Sequence, residues 1–204
     1  MFDRSILRLV AITDDALERR PTLVERTAAA VRGGATCVQL RLKNATPREV
    51  VDIARAMIAA VNVPVIVNDR ADIALAAGAA GVHVGEADLP VVAIRRFAPT
   101  GFVIGASLGG DRELENAKDA DYVGIGPLFS SASKDDAGDA IGIEGFKRLA
   151  ELCKLPAIAI GGITPERVPQ IMDAGAAGVA AINAIFKGSD PESATRLLAA
   201  AIES

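Results

Sequence analysis

The chain of 204 residues carries a formal net charge of −4, which argues against general affinity for nucleic acid or for an anionic membrane surface. Half of its residues are hydrophobic but only 3% are aromatic, so alanine, valine, isoleucine and leucine must build the core. This length suits one well-covered core, and we expect a single domain over residues 1–204.

The first residues and the two cysteines favour the cytoplasm. Residues 1–15 lack the apolar segment and the small-residue cleavage site of a signal peptide. No run approaches the ~20 apolar residues that a membrane span needs. Cys37 and Cys153 are too few for a disulfide framework. The sequence predicts a cytoplasmic protein without nucleic-acid or membrane partners, and it leaves assembly into a homo-oligomer open.

Short β-rich segments alternate with alanine-rich helical segments along the whole chain. The predicted strands cover residues 7–13, 37–43, 64–68, 81–85, 102–107, 122–127, 156–161 and 178–185. The predicted helices cover residues 21–32, 47–60, 70–77, 90–97, 111–117, 143–152, 165–173 and 191–203. This alternation predicts a parallel α/β sheet, and eight strands close a single-domain (β/α)₈ TIM barrel. An open doubly wound sheet is the alternative, although no GxGxxG motif follows the first strand.

The second predicted strand carries Gln39, Arg41 and Lys43 on one face, because successive side chains of a strand point to opposite faces. Leu40 and Leu42 lie on the other face. A strand between two helices is normally covered on both faces, and unpaired cations are costly to bury. Either acidic residues compensate these cations, or the strand end opens onto a pocket that receives an anion. An exposed edge strand is the plainer alternative.

Polar residues recur inside or just beyond most of the predicted strands. In a parallel barrel the C-terminal ends of all strands meet at one rim, where active sites lie. The sequence therefore predicts a site at this rim. The residues are Gln39, Arg41, Lys43, Asn68, Asp69, Asp88, Ser107, Ser131, Ser133, Lys134, Gly161, Gly162 and Asn183.

The charges at the predicted rim favour a diphosphate held with a metal ion. Arg41, Lys43 and Lys134 are more cations than one monophosphate requires, and arginine and lysine suit phosphate oxygens. Asp69 and Asp88 would repel phosphate, but Mg²⁺ commonly takes one or two carboxylates together with substrate phosphate oxygens. The alternative for Asp69 is an ordinary N-cap of the following helix.

A second anion site is predicted where strand seven ends. Gly161 and Gly162 let backbone N–H groups approach a ligand, and monophosphates often bind after strands seven and eight of such barrels. A structural turn explains this pair equally well. The long polar segment 129–145 suggests a mobile lid, whose Ser130, Ser131 and Ser133 offer hydroxyls to both anions.

His83 is the only histidine of the chain and lies inside the fourth predicted strand. Packing in the core, or support for a neighbouring side chain, is the favoured interpretation over catalysis. Neither Cys37 nor Cys153 has the histidine partner that a nucleophilic thiol usually needs.

These segments together resemble the thiamin phosphate synthase family over essentially the whole chain. Residues 39–43, QLRLK, are similar to the QxRxK strand of that family, and residues 67–69 match its VND segment. Residues 81–89 resemble its GVHxGQxDL stretch. Residues 122–127 and 160–163 are similar to its YxxxGP and IGGI. Each segment is short, but their order and spacing together are specific.

The family joins hydroxymethylpyrimidine diphosphate to a thiazole phosphate, carboxylated or plain, and releases pyrophosphate. The resemblance implies an enzyme with Mg²⁺ as cofactor, bound by Asp69 and Asp88, and these two phosphorylated small molecules as substrates. The residues that would hold the pyrimidine diphosphate are Gln39, Arg41, Lys43, Asn68, Ser107 and Lys134. The thiazole phosphate would contact Ser131, Ser133, Gly162, Ile182 and Asn183. Further substrate contacts are expected from Leu40, Leu42 and Ala132, and catalytic roles from Arg41, Lys43, Ser107 and Lys134.

Two other functions stay open at this point. A related thiazole tautomerase shares the barrel, but it generally lacks the paired acids and uses a histidine just after strand five, where this chain has none. A noncatalytic sensor of phosphorylated ligands is the third hypothesis. The chain also departs from the family pattern, with Asn183 in place of a serine and SASK over residues 131–134 in place of TxTK.

Overall fold

The computed structural model describes residues 2–130 and 139–204, and within them eight parallel strands close into a barrel. Each strand pairs with the next in chain order, and the eighth pairs with the first. The strands are β1 Leu9–Ile12, β2 Cys37–Leu40, β3 Val65–Asn68, β4 Gly81–Val84, β5 Val103–Leu108, β6 Tyr122–Ile125, β7 Ala157–Ile160 and β8 Gly178–Ala181. The predicted (β/α)₈ barrel is confirmed.

The helices surround this barrel. They are α1 Leu23–Arg32, α2 Pro47–Ala60, α3 Ala71–Ala77, α4 Val91–Arg95, α5 Leu114–Ala117, α6 Gly142–Cys153, α7 Val168–Asp173, α8 Asn183–Phe186 and α9 Pro191–Ile202. Short 3₁₀ turns complete the connections at Arg4–Leu7, Leu17–Thr22, Asp111–Glu113 and Pro165–Arg167. Among the described residues, no helix combines the length and the apolar character required to cross a membrane.

Two layers of apolar side chains fill the fold. Inward-facing residues pack inside the barrel, and outward-facing strand residues pack against the helices. The inner group contains Leu7, Val10, Ile12, Cys37, Ile66, Tyr122, Ile158 and Ala180, each with at most 2% of its surface exposed. Because this packing closes the lower part of the barrel, a ligand has room only near the C-terminal ends of the strands.

Two predicted strands continue three or more residues beyond their true ends. The second was predicted over residues 37–43, but β2 ends at Leu40, so Arg41 and Lys43 lie in the following turn. The eighth was predicted over residues 178–185, but β8 ends at Ala181 and Asn183 begins α8. Periodicity does not distinguish a strand from a helix in a short apolar run such as residues 178–185. The prediction that Asn183 lies within a strand is therefore wrong.

Helix α2 begins with a capping box. The Thr46 hydroxyl accepts a hydrogen bond from the Glu49 N–H at 3.3 Å, and the Glu49 carboxylate accepts one from the Thr46 N–H at 2.8 Å. We expect Thr46→Ala to lower the free energy of unfolding by about 1 kcal/mol, because the cap hydroxyl is lost. Urea denaturation measures this change. Thr46→Ser keeps the hydroxyl and should stay near wild type, and an equal loss in both variants would contradict the capping role.

Candidate active site

A cavity of about 780 Å³ opens at the C-terminal ends of the strands. Its walls bring together predicted site residues from opposite sides of the barrel. They include Gln39, Arg41, Asn68, Ser107, Gly162, Ile182 and Asn183. The floor is formed by His83, Ile158 and Ala180, which belong to the barrel interior. The cavity is therefore a recess with a polar mouth above a floor that combines the His83 imidazole with apolar side chains.

A smaller cavity of about 380 Å³ adjoins the first and shares Asn68 with it. Lys43, Asp69 and Asp88 line this second cavity. Leu40 and Leu42 also line it, although Leu40 is only 1% exposed and packs mainly between the sheet and the helices. Lys43 and the two predicted acids thus lie beside the larger cavity, whereas Arg41 lines the larger cavity itself.

Asp69 and Asp88 form a close carboxyl pair. Burial, the charge of Asp88 and a side-chain hydrogen bond with Asp88 raise the pKa of Asp69 to about 6, although Lys43 and Arg41 act in the opposite direction. Asp88 is fixed in turn, because its Oδ2 accepts a hydrogen bond from the Gly85 N–H at 2.7 Å. Two carboxylates held this close favour a shared proton or a cation between them.

The backbone of Asp69 bears on the alternative that this residue caps the following helix. Its φ of 66° lies in the left-handed region, which is uncommon outside glycine, and its N–H donates to the His83 carbonyl at 2.7 Å. The residue before α3 is Arg70, which makes no side-chain cap bond. The alternative of Asp69 as the N-cap of that helix is therefore wrong.

The carboxylates of Asp69 and Asp88 fit a magnesium ion whose remaining ligands come from a phosphorylated substrate and water. Among residues 2–130 and 139–204, no cluster of three or more histidine, cysteine, aspartate or glutamate side chains could enclose a metal. Mg²⁺ needs only one or two carboxylates when substrate phosphate oxygens and water supply the remaining ligands. Asp69 and Asp88 provide that set of hard oxygen donors, with Arg41 and Lys43 close enough to act on the charge of Asp69.

The turn that carries the two cations is held by residues after β1, which the sequence analysis did not identify. The buried Thr13 hydroxyl accepts a hydrogen bond from the Arg41 N–H at 2.8 Å and donates one to the Arg41 carbonyl at 3.1 Å. The Asp15 carboxylate accepts from the N–H groups of Lys43 and Asn44, at 2.8 and 3.0 Å. The backbone under both cations is therefore fixed before any ligand binds.

Gln39 occupies the highest inward position of β2 and is only 4% exposed. Its Nε2 donates to Oδ1 of Asn68 at 2.7 Å. This bond orients both amides, so the remaining donor of Gln39 and the NH₂ group of Asn68 have defined directions at the cavity wall.

The opposite wall is formed by the ends of β7 and β8. Gly161 and Gly162 have φ of 99° and 63°, so this loop adopts a backbone that side chains disfavour. Arg167, which the sequence analysis did not identify, donates from Nη1 to the Gly162 carbonyl at 2.7 Å. Its guanidinium carbon lies 4.4 Å from the centre of the Phe129 ring. Arg167 therefore lines the large cavity, as Arg41 and Arg112 also do.

Four predicted site residues lie outside the described residues: Ser131, Ala132, Ser133 and Lys134. The predicted lid over residues 129–145 falls partly in the same segment. Ser130 and Asp139 are the nearest described residues on either side, and both line the large cavity.

A family model described as thiamine monophosphate synthase matches residues 9–185, which cover every rim residue discussed above. The chain belongs to the thiamine monophosphate synthase family. The match begins at the first residue of β1 and ends within α8, so membership in this family rests on the whole barrel.

Individual relatives support the same membership. The chain is 42% identical over 202 residues to the thiamine-phosphate synthase of Azorhizobium caulinodans, covering 97% of this chain and 95% of that protein. It is 39% identical over 197 residues to that of Clostridium novyi, covering 94% and 97%. The solved thiamine phosphate pyrophosphorylase of Pyrococcus furiosus superposes with a TM-score of 0.86 at 35% identity, covering 98% and 97%. A 3-hexulose-6-phosphate synthase, at 21% identity and a TM-score of 0.71, shares the fold alone.

Proposed function

We propose that this chain, as a single domain over residues 1–204, is a thiamine-phosphate synthase. It would join hydroxymethylpyrimidine diphosphate to thiazole phosphate, giving thiamine phosphate and pyrophosphate. The observation that carries the proposal is the meeting of Arg41 and Lys43 with the Asp69–Asp88 pair at the barrel rim. The adjoining cavity of about 780 Å³ lies within the size range of small-molecule sites.

The pyrimidine diphosphate would bind across the ends of β2 to β5. The Arg41 guanidinium can form two parallel hydrogen bonds to the phosphate oxygens of this substrate, and the Lys43 ammonium acts as a compact positive charge. Gln39 and Asn68 supply amide donors. Asp69 and Asp88 would hold Mg²⁺, which neutralises charge on the diphosphate when bound. The site thus gathers positive charge at the leaving group.

The proposed displacement is dissociative. The bond between the pyrimidine methylene carbon and the diphosphate oxygen breaks, and its electron pair leaves with pyrophosphate. The thiazole nitrogen then donates its lone pair to the resulting carbocation and forms the new carbon–nitrogen bond. Arg41, Lys43, Ser107 and Lys134 would act by stabilising the charge that develops on pyrophosphate and by orienting the pyrimidine substrate. Electrostatic stabilisation of this kind can supply much of a rate enhancement without acid–base residues.

The thiazole phosphate would occupy the wall formed by β7 and β8. Gly162, Ile182 and Asn183 line this wall, and Ser131, Ala132 and Ser133 are proposed to complete it. Positive φ at Gly161 and Gly162 turns the loop between β7 and the following 3₁₀ turn. Backbone N–H groups in such turns suit phosphate oxygens.

The direct experiment measures pyrophosphate release with both substrates and Mg²⁺, with each substrate omitted in turn. The proposal expects release only when both are present, together with formation of thiamine phosphate. Absence of release with both substrates would reject it. Isomerisation of a thiazole phosphate without the pyrimidine substrate would instead favour the tautomerase.

Arg167 is proposed to bind an anionic group of the thiazole substrate. We expect Arg167→Met to raise the KM for thiazole phosphate about tenfold, because a charge-assisted hydrogen bond is lost. The KM for the pyrimidine diphosphate should stay unchanged, since Arg41 lies on the opposite wall and Lys43 lines the adjoining cavity. Steady-state kinetics with each substrate varied in turn measures both constants. Equal increases in the two constants would indicate a general structural effect and contradict this role.

The proposed partners are the two phosphorylated small molecules, with no nucleic acid and no membrane. The negative net charge of −4 supports this choice, because positive charge is local to the site. We propose the cytoplasm as the location and leave the homo-oligomeric state open.

A further inference from the structure

Three polar side chains form a chain of hydrogen bonds from the barrel interior to the cavity wall. Tyr122 of β6 lies with its hydroxyl 3.0 Å from Nδ1 of His83 in β4. The other ring nitrogen, Nε2, lies 3.2 Å from the Ser107 hydroxyl in β5. Tyr122 is fully buried, His83 is 8% exposed, and Ser107 lines the cavity. The buried end of this chain is therefore connected to a group that a ligand can reach.

Two glycines make room for this arrangement. The strand register places Gly105 beside both His83 and Tyr122, and Gly124 beside Ser107. A Cβ atom on Gly105 would lie 2.5 Å from His83 Nδ1 and 2.5 Å from Tyr122 Cε1, far inside van der Waals contact. A Cβ atom on Gly124 would lie 3.1 Å from His83 Cε1. The rings of Tyr122 and His83 thus occupy space that side chains at both positions would restrict.

The buried phenol fixes the direction of the hydrogen bonds. Burial raises the pKa of Tyr122 well above its ordinary value, so the hydroxyl keeps its proton. Within the described residues, the hydrogen-bond partner of this hydroxyl is His83 Nδ1. A buried O–H without an acceptor is costly, so Tyr122 donates to Nδ1. Nδ1 must then be unprotonated, which leaves the imidazole proton on Nε2.

The proton on Nε2 in turn orients Ser107. His83 Nε2–H donates to the serine oxygen, so the hydroxyl hydrogen of Ser107 is directed away from the ring. Ser107 shares its edge of the site with Asp88, since a Cβ atom on Gly85 would lie 3.4 Å from Asp88 Oδ2 and 4.0 Å from Ser107 Oγ. The Ser107 hydroxyl is then a donor beside the acid pair.

We propose that Tyr122 and His83 are positioning residues that hold the Ser107 hydroxyl as a hydrogen-bond donor to an acceptor atom of the pyrimidine diphosphate. The identity of that ligand rests on the proposed function. The order of the three groups rests on the distances between them, and the direction of their hydrogen bonds rests on the need of the buried Tyr122 hydroxyl for an acceptor. His83 thereby acquires a role at the site that acts through Ser107.

The first test reads the proton directly. Because the untagged chain contains one histidine, ¹⁵N NMR of histidine-labelled protein shows a single imidazole. We expect a bonded proton on Nε2 and none on Nδ1. In Tyr122→Phe, which keeps the ring and loses the donor, we expect a mixture of the two tautomers. A wild-type proton on Nδ1, or a spectrum unchanged by Tyr122→Phe, overturns the proposal whatever the activity of the enzyme.

The second test uses pyrophosphate release. Tyr122→Phe should lower kcat about five- to tenfold with the KM for thiazole phosphate unchanged, since one hydrogen bond in the chain is lost. His83→Gln can accept from Tyr122 and donate to Ser107, so it should retain more activity than His83→Ala. In a Ser107→Ala background, Tyr122→Phe should have no further effect. The same fold loss in both backgrounds overturns the positioning role.

Discussion

Asp69→Asn is expected to abolish the Mg²⁺ stimulation of pyrophosphate release and to lower kcat/KM by about 100- to 1,000-fold, the cost of removing a preorganised electrostatic group. The substitution removes one of the two carboxylates that would hold the metal. Asparagine tolerates the left-handed backbone that Asp69 adopts at φ 66°, so the loop geometry should survive. A loss of kcat/KM would therefore result from removal of the carboxylate charge and not from a change in the fold.

The folded state of this variant should be intact. In metal-free wild type, burial and the neighbouring Asp88 raise the pKa of Asp69 to about 6. Above that pH the ionised carboxylate destabilises the folded state relative to the unfolded chain, in which Asp69 titrates near its ordinary value. Asparagine carries no such charge, so at pH 7.5 and in EDTA the variant should melt no lower than wild type. Differential scanning calorimetry measures this comparison.

Calorimetry also separates metal binding from catalysis. Added Mg²⁺ should raise the Tm of wild type, because a ligand that binds only the folded state stabilises it, and should leave the Tm of Asp69→Asn unchanged. Asp72→Asn is the matched control, since Asp72 is an exposed carboxylate that pairs with Arg70 outside the acid pair. Full activity of Asp69→Asn, or of wild type in EDTA, would contradict the metal site.

The alternation of β-rich and helical segments was enough to predict the barrel, but it could not locate the ends of its strands. The alternating pattern of Gln39, Arg41 and Lys43 continues past Leu40, where β2 ends. The strand stops there because Thr13 and Asp15 bind the backbone of the next residues in a turn. That interaction joins positions 28 residues apart, and no local pattern reveals it.

In the candidate site too, residues that follow strands could be predicted from the sequence, whereas contacts between distant segments could not. The acids and cations could be predicted because they follow strands, and the ends of parallel strands converge. Arg167 was missed because it ends a 3₁₀ turn and does not directly follow a strand, and only the fold brings it over Phe129. The link from Tyr122 through His83 to Ser107 depends on strand register, which segment boundaries alone do not give.

Arg41→Met is expected to lower kcat/KM by about 100-fold, with the larger part in kcat, because charge on the departing pyrophosphate grows in the transition state. Arg41 is well placed for this role. Thr13 binds both its N–H and its carbonyl, so little ordering is needed when the diphosphate arrives. Steady-state measurement of pyrophosphate release gives both constants.

Arg41→Lys distinguishes the fork-shaped guanidinium from simple positive charge. Lysine keeps the charge but cannot form two parallel hydrogen bonds to one phosphate, so we expect only partial recovery relative to Arg41→Met. Arg48→Met is the control, because Arg48 is an exposed arginine of α2 that lines neither cavity. Full activity in Arg41→Lys would reduce the role of Arg41 to charge alone. Near-wild-type activity in Arg41→Met would contradict a role for Arg41 in stabilising the leaving group. Lys43 would then be the described cation left to act on the charge beside Asp69.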